Sequence, residues 1–172
     1  GQIVDMGVTD MTNMGAAMAP AAFDTLRAVF RDTGTTPKDY DLIVTGDLGA
    51  VGSDILTELF RREGTALDNY TDCGLLLYDR KKQDMHAGGS REIQIEYGDG
   101  LRECKKMLMM AKAGKRNGYL LEGMRQGRWR RLLFAPTGAL LSPTSSFQGE
   151  SIPGICHAVV FSRTKEDAEW NM

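Results

Sequence analysis

The sequence is poor in the residues that build metal and disulfide sites. Its three cysteines, Cys73, Cys104 and Cys156, are odd in number and widely spaced, and no CxxC pair occurs. That argues against a zinc site or a disulfide framework and for a reducing, cytosolic compartment. No apolar run approaches the ~18 residues that a membrane-spanning helix needs. The longest, Leu75-Leu76-Leu77-Tyr78 and Leu132-Leu133-Phe134-Ala135, have the length of strands. Charge of one sign is also missing: the formal net charge is −2, which gives no reason to expect nucleic-acid or acidic-lipid binding. No signal-peptide pattern opens the chain, and it starts Gly1-Gln2-Ile3-Val4-Asp5 rather than with Met. The expectation is a piece of a longer reading frame.

What is present suits a globular domain. With 42% hydrophobic and 26% charged residues the chain is neither disordered nor a membrane protein by composition. Its 172 residues fit one domain. A chain of this length buries roughly two thirds of its unfolded surface.

Hydrophobic spacing sets out the elements. Residues 1–11 read as loop. Ala16, Ala17, Ala19, Ala21 and Ala22, with Met18, Phe23, Leu26, Val29 and Phe30, predict a helix of about 12 to 20 residues, capped by Thr12 or Asn13 and ended by Gly34. Pro20 favours a start near Ala19, with the proline in the first turn. Residues 40–45 read as a buried strand, 46–49 as a turn, and 51–62 as an amphipathic helix stopped by Gly64. Residues 75–78 read as a short strand or turn and 86–90 as a glycine-rich turn. Helix is expected over 118–126, strand from 128 to 134, a glycine corner over 137–142, and a closing strand over 155–161. The charged tail from 163 to 172 reads as frayed.

Six short segments carry a resemblance. They are Asn13 to Ala22, Asp39 to Gly49, Asp72-Cys73-Gly74, His86-Ala87-Gly88-Gly89-Ser90, Gly138 to Pro143, and Gln148 to Ile155. In this order they resemble the C-terminal half of the stage V sporulation protein AD family. The resemblance implies an α/β fold: the C-terminal half of a thiolase-like fold, a mixed sheet with packed helices, over residues 1–172. It implies a non-catalytic subunit that binds dipicolinic acid, free or as its calcium chelate, in the spore dipicolinate uptake machinery. It further implies other transport-complex subunits, an N-terminal thiolase-like half and a homo-oligomer as partners. The implied place is peripheral, on the cytoplasmic side of the spore inner membrane, with no cofactor and no nucleic acid.

One segment departs from the family. Residues 91–117 replace the small-residue helix start expected after the glycine turn. They read as a strand over 91–97, a Gly98-Asp99-Gly100 turn and an amphipathic helix over 101–113. A surface excursion, a sequence artefact and a partner-binding hairpin all stand open for this segment.

Read against the related condensing enzymes, three loops fall where an active site would lie, and the implied ligand-binding residues are Asp47, His86, Gly88, Gly89, Gly138, Ser142 and Pro143. Asp47 stands where those enzymes place a catalytic histidine. A carboxylate at neutral pH only accepts hydrogen bonds, so it cannot stabilise a thioester oxyanion as an imidazole N–H does. No histidine base is placed beside Cys73, which reads as a small buried residue, as does Cys156. His157 reads as structural. The arginines Arg125, Arg128, Arg130 and Arg131 around Trp129 read as a solvated face. Two alternatives remain beside the binding protein. One is a thiolase or β-ketoacyl synthase-type acyl transferase whose nucleophile lies in the absent half. The other is an inert fragment with an uncovered apolar face.

Overall fold

The computed structural model describes residues 1–77, 87, 119–142, 144 and 147–164. Four α-helices, one short 3-10 helix (Pro37–Asp39) and seven strands are set out within them: β1 (Ile3–Val4), α1 (Met14–Thr33), β2 (Leu42–Thr45), α2 (Gly49–Arg62), β3 (Tyr70–Asp72), α3 (Cys73–Leu77), α4 (Tyr119–Arg125), β4 (Arg131–Ala135), β5 (Thr137–Ala139), β6 (Gly154–Cys156) and β7 (Val159–Ser162).

The β2 and β4 strands form the centre of a four-stranded sheet in the order β3-β2-β4-β7, with β2 parallel to both β3 and β4 and β7 antiparallel to β4. Both central strands are apolar at successive positions because helices cover both faces. Ile43, Leu133 and Ala135 face α1 and α2, in a core with Leu26, Leu48, Leu56 and Phe60. Val44, Leu132 and Phe134 face the other way, onto Leu120 and Met124 of α4. Each of the larger of these side chains contributes about 1.5–3 kcal/mol by leaving water.

A second sheet, β1-β6-β5, is antiparallel throughout. It continues the first. The β4–β7 pairing (Phe134 opposite Val159) and the β5–β6 pairing (Thr137 opposite Cys156) share one register. The ladder is interrupted at Pro136, which has no N–H to give, and His157 N donates to Pro136 O across the gap.

The α1 helix starts at Met14, with Asn13 Oδ1 accepting from Ala16 N as its cap, and ends on Gly34 at φ 63°. The expected start near Ala19 is therefore corrected. Pro20 lies inside the helix at a cost of about 3 kcal/mol. Burial of Ala17, Met18, Ala19, Ala21, Ala22 and Leu26 along the same helix offsets it.

Three further expectations are corrected. The stretch 75–78, expected as strand or turn, lies largely in α3, and the strand precedes it at Tyr70–Asp72. The single closing strand is two strands, broken at 157 and 158. The start of the chain is not all loop, because Ile3 and Val4 pair with Ile155 and Gly154. The strand, turn and helix expected for 91–117 lie outside the described residues.

Candidate functional site

The turn between β2 and α2 is built around one carboxylate. Asp72, at the end of β3, is fully buried. Its Oδ1 accepts from Thr45 Oγ1 at 2.6 Å and from Leu48 N at 2.9 Å. Its Oδ2 accepts from Gly49 N at 3.1 Å and from Gly74 N at 2.9 Å. One side chain thus satisfies orphan amides at the N-termini of both α2 and α3, where an anion is favoured. Parallel pairing sets this up, since Thr45 and Asp72 are register partners at the ends of adjacent strands.

A line of hydroxyls leads away from the same carboxylate. Thr45 Oγ1 lies 2.7 Å from Tyr70 Oη, which lies 3.2 Å from Ser53 Oγ on α2. Burial pushes the Asp72 carboxyl up to about 6, against the opposing pull of the Thr45 hydroxyl and the Leu48 and Gly74 amides. Burial also raises the Tyr70 phenol and the Cys73 thiol, with the Asp72 charge adding to both and the Asp47 charge to the thiol. Cys73, expected to be buried, is half-buried; it is the first residue of α3 and packs with the core beneath α4. A thiol held neutral in this way is a poor nucleophile.

Asp47 stands within the clamped turn. It is buried and has a φ of 26°, the one non-glycine residue at positive φ among those described. A Cβ on Gly74 would stand 2.6 Å from Asp47 Oδ1 and 3.0 Å from Asp72 Oδ2, so both carboxylates close over a residue that must lack a side chain.

Two of the other predicted loops meet this turn. Gly46 N donates to Ala135 O, and Thr137 Oγ1 donates to Gly46 O, which sets buried Gly138 of β5 beside it. Ala87 O accepts from Gly15 N at 2.7 Å, and a Cβ on Gly15 would stand 2.2 Å from Leu48 O. Ala87 therefore reaches the same corner. His86, Gly88, Gly89 and Pro143 lie outside the described residues. Ser142 is half-buried past the end of β5, where Leu140 N donates to Pro153 O and ties the chain toward β6.

Elsewhere the sequence reading fares unevenly. Cys156 is buried, as expected. His157 is exposed and serves through its backbone amide. Around Trp129, Arg125 pairs with Glu122 and the Arg128 guanidinium lies 5.2 Å from the Tyr119 ring and 5.3 Å from the Trp129 ring, on an exposed face. Arg131, expected on the same solvated face, is instead half-buried, with its guanidinium 5.4 Å from the Tyr40 ring. No group of three or more His, Cys, Asp or Glu side chains placed to hold a metal occurs among the described residues.

Thr45, Ser53, Tyr70 and Gly15 were not legible as site residues, and Asp72 was legible only as part of a motif. The available signal was an Asp directly before Cys73-Gly74 at the end of a strand, the pattern of a helix N-cap.

These features define a mixed α/β domain with a doubly covered sheet and a carboxylate-clamped turn at the strand ends. The profile of the family Stage V sporulation protein AD (SpoVAD) matches residues 1–162, and the chain belongs to that family. Stage V sporulation protein AD of Bacillus subtilis (strain 168) is 40% identical over 164 residues, which cover 95% of this chain and 43% of that relative. The chain thus spans less than half the length of the relative.

Proposed function

We propose that this chain supplies part of a non-catalytic site for dipicolinic acid, free or as its calcium chelate, in a sporulating cell. The observation that carries the reading is the turn at 46–49. In a family member it presents a carboxylate, Asp47, where the related condensing enzymes need an imidazole. Cys73, held neutral beside two carboxylates, offers no nucleophile in its place. A carboxylate that only accepts suits a ligand that brings its own cation, with the glycine turn, Gly138 and Ser142 supplying amides and a hydroxyl to the ligand's carboxylates.

The complete site includes an N-terminal, thiolase-like portion beyond these residues, and the assembled protein acts with other subunits of the dipicolinate transport machinery. Its place is peripheral, on the cytoplasmic side of the spore inner membrane. No described helix is long and apolar enough to cross a membrane, which is compatible with that place.

Titration calorimetry of the complete protein, N-terminal portion included, tests the reading with dipicolinate alone and with calcium dipicolinate. The expected result is saturable binding weakened by Ser142→Ala. A folded protein that takes up neither form overturns the proposal. An acyl-enzyme adduct detected by intact mass after exposure to an acyl thioester would overturn its non-catalytic part.

A further inference from the structure

We infer that Asp72 is the positioning residue of the ligand-facing turn, acting on the ligand only through Asp47. The inference rests on the reading of Asp47 as a ligand contact. Its own content is that a buried side chain on a different strand fixes where that contact stands.

The geometry is specific to the turn. The Asp72 carboxylate takes a hydrogen bond from Thr45 on one side of Asp47 and two from Leu48 and Gly49 on the other. Both ends of the short loop are thereby tied to one rigid point on β3. The residue between them has a φ of 26°, a strained conformation for an L-residue that persists only where its surroundings over-determine it.

The fourth bond, from Gly74 N, draws in the backbone whose missing Cβ leaves the space that Asp47 Oδ1 occupies. Asp72 therefore sets the backbone of the turn and the space for its side chain together. Its orientation is held in turn by the Thr45, Tyr70 and Ser53 hydroxyls, from β2, β3 and α2. Asp72 is fully buried in this chain, so its influence on a ligand runs through the groups it holds.

Such a residue is recognised by coupling. In the complete protein, calcium dipicolinate affinity is measured by calorimetry for wild type, Asp47→Asn, Asp72→Asn and the double variant, with thermal midpoints recorded without ligand. The expected result is an affinity loss of about tenfold for Asp72→Asn that shrinks below about twofold once Asp47 is already changed. A contribution to folding alone would lower the thermal midpoint and leave the two binding losses multiplicative, and that result overturns the inference.

Should Asp72→Asn fail to fold, Thr45→Val removes one bond to the same carboxylate. It is expected to weaken binding about threefold, again only while Asp47 is present. Undiminished binding by Asp47→Asn overturns Asp47 as the contact, and this inference with it. Wild-type binding that is sensitive to Asp47 but shows no coupling to Asp72 or Thr45 overturns this inference alone.

Discussion

Thr45 Oγ1 donates to Asp72 Oδ1 at 2.6 Å across two adjacent parallel strands, both groups buried. Removing the hydroxyl while keeping the shape leaves the carboxylate short of one donor and Tyr70 Oη short of one partner. Thr45→Val is expected to destabilise the fold by about 1–3 kcal/mol. Urea unfolding followed by circular dichroism measures it, and a loss below about 0.5 kcal/mol would show that the pair contributes little.

Gly74 is predicted to be intolerant of even one carbon. A Cβ there would stand 2.6 Å from Asp47 Oδ1, so the carboxylate, the turn or α3 must move. Gly74→Ala is expected to cost about 1–3 kcal/mol. Shortening the opposing side chain in Gly74→Ala with Asp47→Ala is expected to return part of that loss. Comparing the two midpoints tests whether contact with Asp47 is the cause.

The helix crossing should be still less forgiving. A Cβ on Gly15 would stand 2.2 Å from Leu48 O and 2.9 Å from Gly52 N, and one on Gly52 would stand 2.8 Å from Gly15 O. These neighbours are backbone and cannot rotate away. Gly15→Ala is expected to destabilise by more than Gly74→Ala, although alanine is normally the better helix former by roughly 1 kcal/mol. A stabilised Gly15→Ala variant would refute the close crossing.

Acid should act on Asp72 with an unusual sign. Its carboxyl titrates near 6 in the fold and near 4 when unfolded, so between these values the folded chain holds the extra proton. The stability contributed by this group therefore falls as pH rises from about 4 to about 6, by up to about 3 kcal/mol, and is level above. The stability difference between wild type and Asp72→Asn should shift by that amount against wild type across the same window. Parallel curves through pH 4–6 would contradict the raised carboxyl.

Cys73 should resist alkylation. Burial and the Asp72 and Asp47 carboxylates all hold its thiol neutral, and the thiolate is the reactive form. At pH 8 iodoacetamide is expected to leave Cys73 unlabelled in the folded protein and to label it fully in urea, as read by peptide mass mapping. Rapid native labelling at Cys73 would reopen the nucleophilic reading.

Periodicity and end signals made most elements readable. Asn13, Gly34 and the apolar spacing between them placed α1, and the runs around Ile43 and Leu133 placed the central strands. Pro20 misled because local propensity disfavours proline inside a helix, while burial of the alanine face outweighs it. Residues 75–78 misled because a short apolar run suits strand or helix equally. The carboxylate at Asp72, capping α3 through Gly74 N, decides for helix. In the site, Asp47 and Gly138 could be picked out by motif, and their loops do meet through Gly46. The Thr45, Tyr70 and Ser53 hydroxyls could not be, because their roles come from register between strands and from packing of α2, which no local pattern encodes.

The uninterrupted count across Pro136 and His157 constrains how this domain can change length. Phe134 faces Val159 and Thr137 faces Cys156 on one continuous numbering, although the strands belong to two sheets. An insertion or deletion of one residue at the break would turn every side chain beyond it to the opposite face. Phe134, Cys156 and Ala135, all fully buried, could not then keep their places together. Length variation within 131–139 must therefore be matched by an equal change within 154–162, so the two segments, distant in sequence, drift as a single ruler.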